Sequence, residues 1–146
     1  MLKSFVTLSM LVITTAPAIA GEPGDAVRYF YENLGAESDL ENRDRFTGPA
    51  LDFLNAADAA WVRDETNCIE FGFAIDAQDF DEAEIANTLK LDETVDGDTA
   101  SVVAKFDNFG QPTEVEWTLS QSAAGWQVTD IASEANQWRV SSMSCE

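Results

Sequence analysis

The sequence predicts an α+β fold in which N-terminal helices pack on an antiparallel β-meander. Two observations carry this. Apolar residues recur at helical spacing in the first half, as in Val27, Phe30, Tyr31 and Leu34. In the second half they alternate with polar ones, as in Ala100, Val102, Ala104 and Phe106. A period of 3.6 marks an amphipathic helix, and a period of 2 marks a half-buried strand. Helices first and strands afterwards give an α+β chain with helices on one side of the sheet.

The elements follow in order. Asp25 to Leu34 places its apolar residues at i, i+3, i+4 and i+7, and Gly35 is a natural stop. Glu37 to Asp44 is polar and reads as a loop with a helical turn. Gly48-Pro49 opens a second helix over Ala50 to Arg63, with Leu51, Leu54, Ala57 and Trp61 expected on its buried face. Cys68 to Ile75 is a β-prone run with Gly72 inside it, and Asp76 to Glu84 an acidic loop. Leu89 and Leu91 lead a strand into Asp96-Gly97, a strong hairpin signal. Turns at Asn108 to Pro112 and at Gly125 divide the strands that follow. In them Val115, Trp117 and Leu119 alternate with Glu114, Glu116 and Thr118, and then Trp126, Val128 and Asp130 with Gln127, Thr129 and Ile131. Glu134 to Met143 is expected to be a final helix or turn.

Residues 1–20 read as a cleavable secretory signal. Lys3 supplies the positive start, Phe5 to Ile13 the apolar stretch, and Ala18-Ile19-Ala20 the small-residue cleavage pattern. The apolar stretch is shorter than the roughly 20 residues that span a bilayer. The expected product is one domain, residues 21–146, in the periplasm or secreted, with no membrane anchor. Loss of Lys3 takes the net charge from −19 to −20. Nucleic acid needs Lys and Arg against phosphate, so the charge speaks against it and favours a basic partner. Charge governs solubility and association rather than fold, and solubility alone is the plain alternative. The chain has 2 cysteines. In an exported chain Cys68 and Cys145 read as a disulfide closing a loop of roughly 80 residues.

The chain resembles the exported members of a bacterial family, domain of unknown function 3828. The residues that carry the likeness are Val27-Arg28-Tyr29-Phe30-Tyr31, Cys68 followed by Asp76-Ala77-Gln78-Asp79, and Gly125-Trp126-Gln127-Val128-Thr129-Asp130-Ile131. Trp138-Arg139-Val140 departs from that family's leucine-rich last helix. The resemblance implies the cone-like, nuclear transport factor 2-like or cystatin-like class: a curved sheet wrapped on helices, with a pocket between them. It brings no catalytic residues with it.

The chemistry is bounded by what is missing. The chain has 0 histidines. That excludes Ser-His-Asp and Cys-His nucleophile systems and histidine-containing zinc sites. No glycine-rich phosphate loop occurs. The residues call for no cofactor and no metal. The acids of the 76–84 loop lack the spacing of an EF-hand. Tyr29, Tyr31 and Trp117 are the candidates to line an apolar pocket. Asp76 and Asp79 brace the turn after Cys68 and are also candidate pocket residues. Trp117 and Trp126 are expected to pair across adjacent strands, or to form an exposed platform. The leading reading is a non-enzymatic exported domain, monomer or homodimer, that binds a small molecule or a protein through its curved sheet. The alternatives are an acidic envelope inhibitor or immunity-type protein for a basic partner, and a carboxylate-dependent isomerase or hydrolase.

Overall fold

Proline at the first helical turn and an apolar stripe behind it start α1, Pro23–Glu32, in a computed structural model that describes residues 22–146. The leader expected over residues 1–20 lies outside the described residues. Helix α1 buries Val27, Phe30 and Tyr31, the face its spacing predicts. It ends earlier than Leu34, and Gly35 takes the left-handed conformation (φ 90°) that opens the next segment. Short 3₁₀ segments follow at Ala36–Ser38 and Leu40–Arg45.

Helix α2, Gly48–Asp64, corrects the expected face. It buries Ala50, Phe53, Leu54, Ala57 and Ala60, while Trp61 is 57% exposed. Two apolar stripes run along this helix. The one rich in alanine and phenylalanine packs on the core, which turns Trp61 and Val62 to solvent.

Cys68 to Ile75 is not a strand. Phe73, Ala74 and Ile75 are buried in succession, which a period-2 strand on a one-sided sheet does not allow. The segment makes a tight reversal in which the Gly72 amide donates to the Ala77 carbonyl (2.9 Å) and Asp76 adopts φ 52°. The acidic stretch after it is partly helix α3, Glu82–Thr88, capped by Asp81, whose carboxylate accepts from the Glu84 amide. Asp81-x-x-Glu84 resembles a capping box.

The sheet has 5 strands in sequence order, all antiparallel. They are β1 Lys90–Asp96, β2 Thr99–Asn108, β3 Gln111–Ser122, β4 Gly125–Ser133 and β5 Trp138–Arg139. The sheet stays open and does not close into a barrel. The alternation predicted for β2 and β3 holds at every position. In β4 it fails, because Leu119 pairs with Val128 but Thr118 pairs with Asp130. Thr129 is the extra residue of a bulge, and its hydroxyl donates to the Thr118 carbonyl (3.1 Å). A bulge changes which side chains face inward, so Ile131, which strict alternation sets on the face opposite Val128, is 1% exposed. The last segment forms β5 and a 3₁₀ turn rather than one helix. Asp130 holds it: its carboxylate accepts from Arg139 Nη1 (3.0 Å), the Ser141 amide (2.9 Å) and the Ser141 hydroxyl (2.7 Å).

Helices and sheet enclose one core. Phe30 lies flat on Trp117, with centroids 5.0 Å apart. The Trp117 indole N–H donates to the Tyr31 hydroxyl (3.1 Å), which satisfies a polar group that burial would otherwise leave unpaired. Cys68 and Cys145 form a disulfide, Cα atoms 5.7 Å apart and 77 residues apart in sequence. It fastens the loop after α2 to the C-terminal tail. In the chain-entropy model a loop of this length is worth about 4.5 kcal/mol. Replacing both cysteines by serine therefore lowers unfolding free energy in urea by several kcal/mol. An unchanged midpoint would show that the crosslink does not constrain the unfolded chain.

Candidate functional site

The residues expected to line an interior pocket fill the interior instead. Tyr31 and Trp117 are 5% and 0% exposed, and their rings meet edge to face at 6.1 Å. Burial pushes the Tyr31 hydroxyl far above its ordinary pKa, and the hydrogen bond from Trp117 offsets this only in part. Tyr29, half-buried, donates to Asn42 Oδ1 (3.0 Å) and carries the Arg45 guanidinium 3.4 Å above its ring. Trp126 pairs with Gln121, whereas Trp117 pairs with Ile131. The two tryptophans are therefore not cross-strand neighbours, since Trp126 sits beside the β3–β4 turn, opposite Gln121 rather than Trp117. Asp76 and Asp79 do not converge on a pocket. The Asp76 carboxylate accepts from Asn136 Nδ2 and Trp138 Nε1, both at 2.6 Å. Asp79 contributes its backbone carbonyl to Asn108. Among the described residues no group of three or more acidic or cysteine side chains is gathered to hold a metal.

One open concavity with an apolar lining lies on the helical side of the molecule; another of ≈ 510 Å³ lies between the end of α3 and the β2–β3 strands. A groove of ≈ 480 Å³ runs between the 3₁₀ turn at Ser38–Leu40, the outer face of α2 and the segment from Thr66 to Ile69. Leu40, Trp61 and Val62 stand in it, exposed by 69%, 57% and 85%. They are half of the large apolar side chains that are exposed among the described residues. An exposed apolar patch rimmed by polar residues marks an interaction surface. Asp39 and Asp58 line the same groove, and Glu41, Asp64 and Glu65 are exposed in the flanking segments.

Arg43, outside the lining itself, braces one wall from behind. It donates from Nε and Nη2 to the two carboxylate oxygens of Asp58 on α2 (2.8 and 2.9 Å). It also donates to the carbonyls of Glu37, Ser38 and Asp39. Such a planar fork holds a carboxylate more rigidly than a lysine would. The disulfide builds the opposite end, since Cys68 lies in the groove lining.

Sequence reasoning missed this groove, because its apolar residues come from three separate segments with no shared motif. It also missed Glu37, which is 1% exposed. Glu37 Oε1 accepts from the Ala74 amide (3.2 Å), and Oε2 has no partner. Burial raises its pKa above the ordinary carboxyl range, more than its backbone hydrogen bonds lower it. Glu37 is not part of the groove lining; it joins the Ala36–Ser38 turn to the Phe73–Asp76 reversal.

No protein-family model matches the chain, and no curated protein matches it. Its fold is similar to a chain of the type VI effector–immunity complex Tae3–Tai3 from Ralstonia pickettii. In the native crystal structure the TM-score is 0.54 at 17% identity, over 79% of this chain and 96% of that one. In the selenomethionine form it is 0.52 at 17% identity, over 77% and 97%. At that identity the likeness is one of fold.

Glu37 supplies a pH prediction. A carboxyl whose folded pKa is raised keeps its proton in the folded state, so its contribution is complete below the ordinary glutamate pKa (about 4.3). It is lost as pH rises toward and through the folded value. Glu37→Gln removes that loss. From pH 4 to pH 8 the variant should gain stability relative to the parent, by about 1.4 kcal/mol for each unit by which burial raises the Glu37 pKa. A gap that stays constant across this range in paired denaturation curves contradicts the assignment.

Proposed function

We propose that this chain is an exported, acidic binding protein that recognises a basic protein partner, in the manner of an immunity or inhibitor protein. The groove carries the reading: Leu40, Trp61 and Val62 stand exposed in one concavity with Asp39 and Asp58. A tryptophan in such a position is the residue type that most often dominates binding energy when a partner covers it. The net charge of −19 would speed encounter with a cationic surface and oppose wrong partners. The likeness of fold to a chain from an effector–immunity complex supports the same reading. Export rests on the leader at residues 1–20. No catalytic role is assigned, because the helix-facing side of the sheet is packed with side chains and the buried carboxylate of Asp130 is spent on holding the C-terminal segment.

A second reading has one observation in its favour. A volume of ≈ 480 Å³ lies within the size range of small-molecule sites, so an amphipathic small ligand would also fit the groove.

Isothermal titration against a panel of purified type VI effectors tests the main reading. We expect binding that weakens as salt is raised, and Trp61→Ala to weaken it by about 30-fold, or about 2 kcal/mol. Binding indifferent both to salt and to Trp61→Ala, or no binding by any effector, contradicts the reading.

A further inference from the structure

The β2–β3 hairpin reverses through Phe109 and Gly110, with Asn108 paired to Gln111. Both turn residues lie in the left-handed region, at φ 50° and 74°. Glycine and asparagine suit such a turn. A bulky side chain there is strained, and strain of this kind persists only where surrounding structure enforces it. The ring of Phe109 does not contribute compensating burial, because the residue is 62% exposed.

The enforcement comes from beneath the turn. Asn108, 7% exposed, accepts from the Asp81 amide through Oδ1 (2.9 Å) and donates through Nδ2 to the Asp79 carbonyl (3.0 Å). The Glu84 carboxylate accepts from the Gly110 amide at 3.0 and 3.1 Å. The tip is therefore braced against α3 and the loop before it. The same brace brings Phe80, 43% exposed, to this corner, since it sits between the two residues that Asn108 grips. Two exposed phenylalanines thus lie on segments that are tied together through Asn108.

We propose that this corner is a docking site for a cationic protein surface that offers an apolar recess, with Phe109 as the inserted anchor and Phe80 beside it. Charge selects the occupant. Asp79, Asp81, Glu82 and Glu84 lie in the segment that carries Phe80, Glu84 reaches the Gly110 amide beside Phe109, and the sequence has no Lys or Arg between Arg63 and Lys90. On the strands, Lys105 is already paired with Asp92 (3.0 Å) and Glu114 (3.8 Å). An anionic lipid surface would be repelled, and a second copy of the chain would bring the same negative field. A basic protein is the partner that gains from both the acids and the rings. The proposal concerns a surface separate from the groove and stands without it.

Phe109→Asn tests it on the full chain, because asparagine keeps the turn and removes the ring; Phe109→Gly is the second variant. The probe is a set of lysine- and arginine-rich cyclic peptides bearing apolar residues, selected by phage display against the unmodified chain. Vesicles of phosphatidylcholine with phosphatidylglycerol and sedimentation of the chain alone are the other arms. We expect both variants to raise the thermal midpoint, by about 2–6 °C, and to weaken at least one peptide class tenfold or more. A lowered midpoint would make the ring structural and overturn the proposal. So would peptide binding that neither variant changes, or a vesicle or self-association signal lost in both. Loss of peptide binding in Trp61→Ala alone would leave the groove reading standing and this one refuted.

Discussion

The stack of Phe30 on Trp117, closed by the hydrogen bond from Trp117 to Tyr31, is the contact on which the rest of the molecule depends. It joins α1 to the middle of the sheet. Phe46, Phe106 and Leu119 complete the layer around it, each no more than 3% exposed. An open sheet wrapped on helices has room for a pocket, and in this chain large aromatic side chains occupy that room. A core packed at the density of an organic crystal leaves no place for a ligand. Open volume is thereby moved to the outside.

What the outside offers follows from how α2 was seated. With Ala50, Ala57 and Ala60 turned inward, the helix presents Trp61 and Val62 outward. The Arg43 to Asp58 fork then fixes the facing turn, and the Cys68–Cys145 crosslink fixes the opposite end. Three constraints of different kinds converge on one concavity: helix register, a bidentate ion pair and a covalent bond. The surface charge acts on top of this, as a long-range bias toward cationic partners that salt would screen.

Much of the fold was legible because its periodicities are strict. Val27, Phe30 and Tyr31 could face only one way, and Ala100 to Phe106 alternate with only Val103 out of pattern. Legibility ended where two signals competed or where tertiary contacts decided. Helix α2 carries two apolar stripes, and periodicity cannot choose between Ala60 and Trp61. Cys68 to Ile75 has β propensity, yet three consecutive residues are needed to close the core, so it became a reversal. The bulge at Thr129 inverted the faces of Asp130 and Ile131 and, with the position of Trp126 in its hairpin, left Trp117 without the tryptophan partner expected for it. The Asp81 cap was visible in the residues but lay inside a run of acids that reads as loop. For the site, helical and strand spacing correctly made Tyr31 and Trp117 core candidates, but spacing says nothing about whether a cavity remains beside them. The groove could not be read, since Leu40, Trp61 and Ile69 meet only in three dimensions. Glu37 gave no signal at all within its polar segment.

The central claim is that the interior is full and the accessible apolar volume lies beside α2. Methyl NMR of the labelled chain under xenon pressure measures this directly, because xenon enters apolar space that water leaves. The account predicts saturable shifts confined to the methyls of Leu40, Val62 and Ile69. Saturable shifts at Val102, Val115 and Leu119 would reveal an open cavity on the concave face and contradict it.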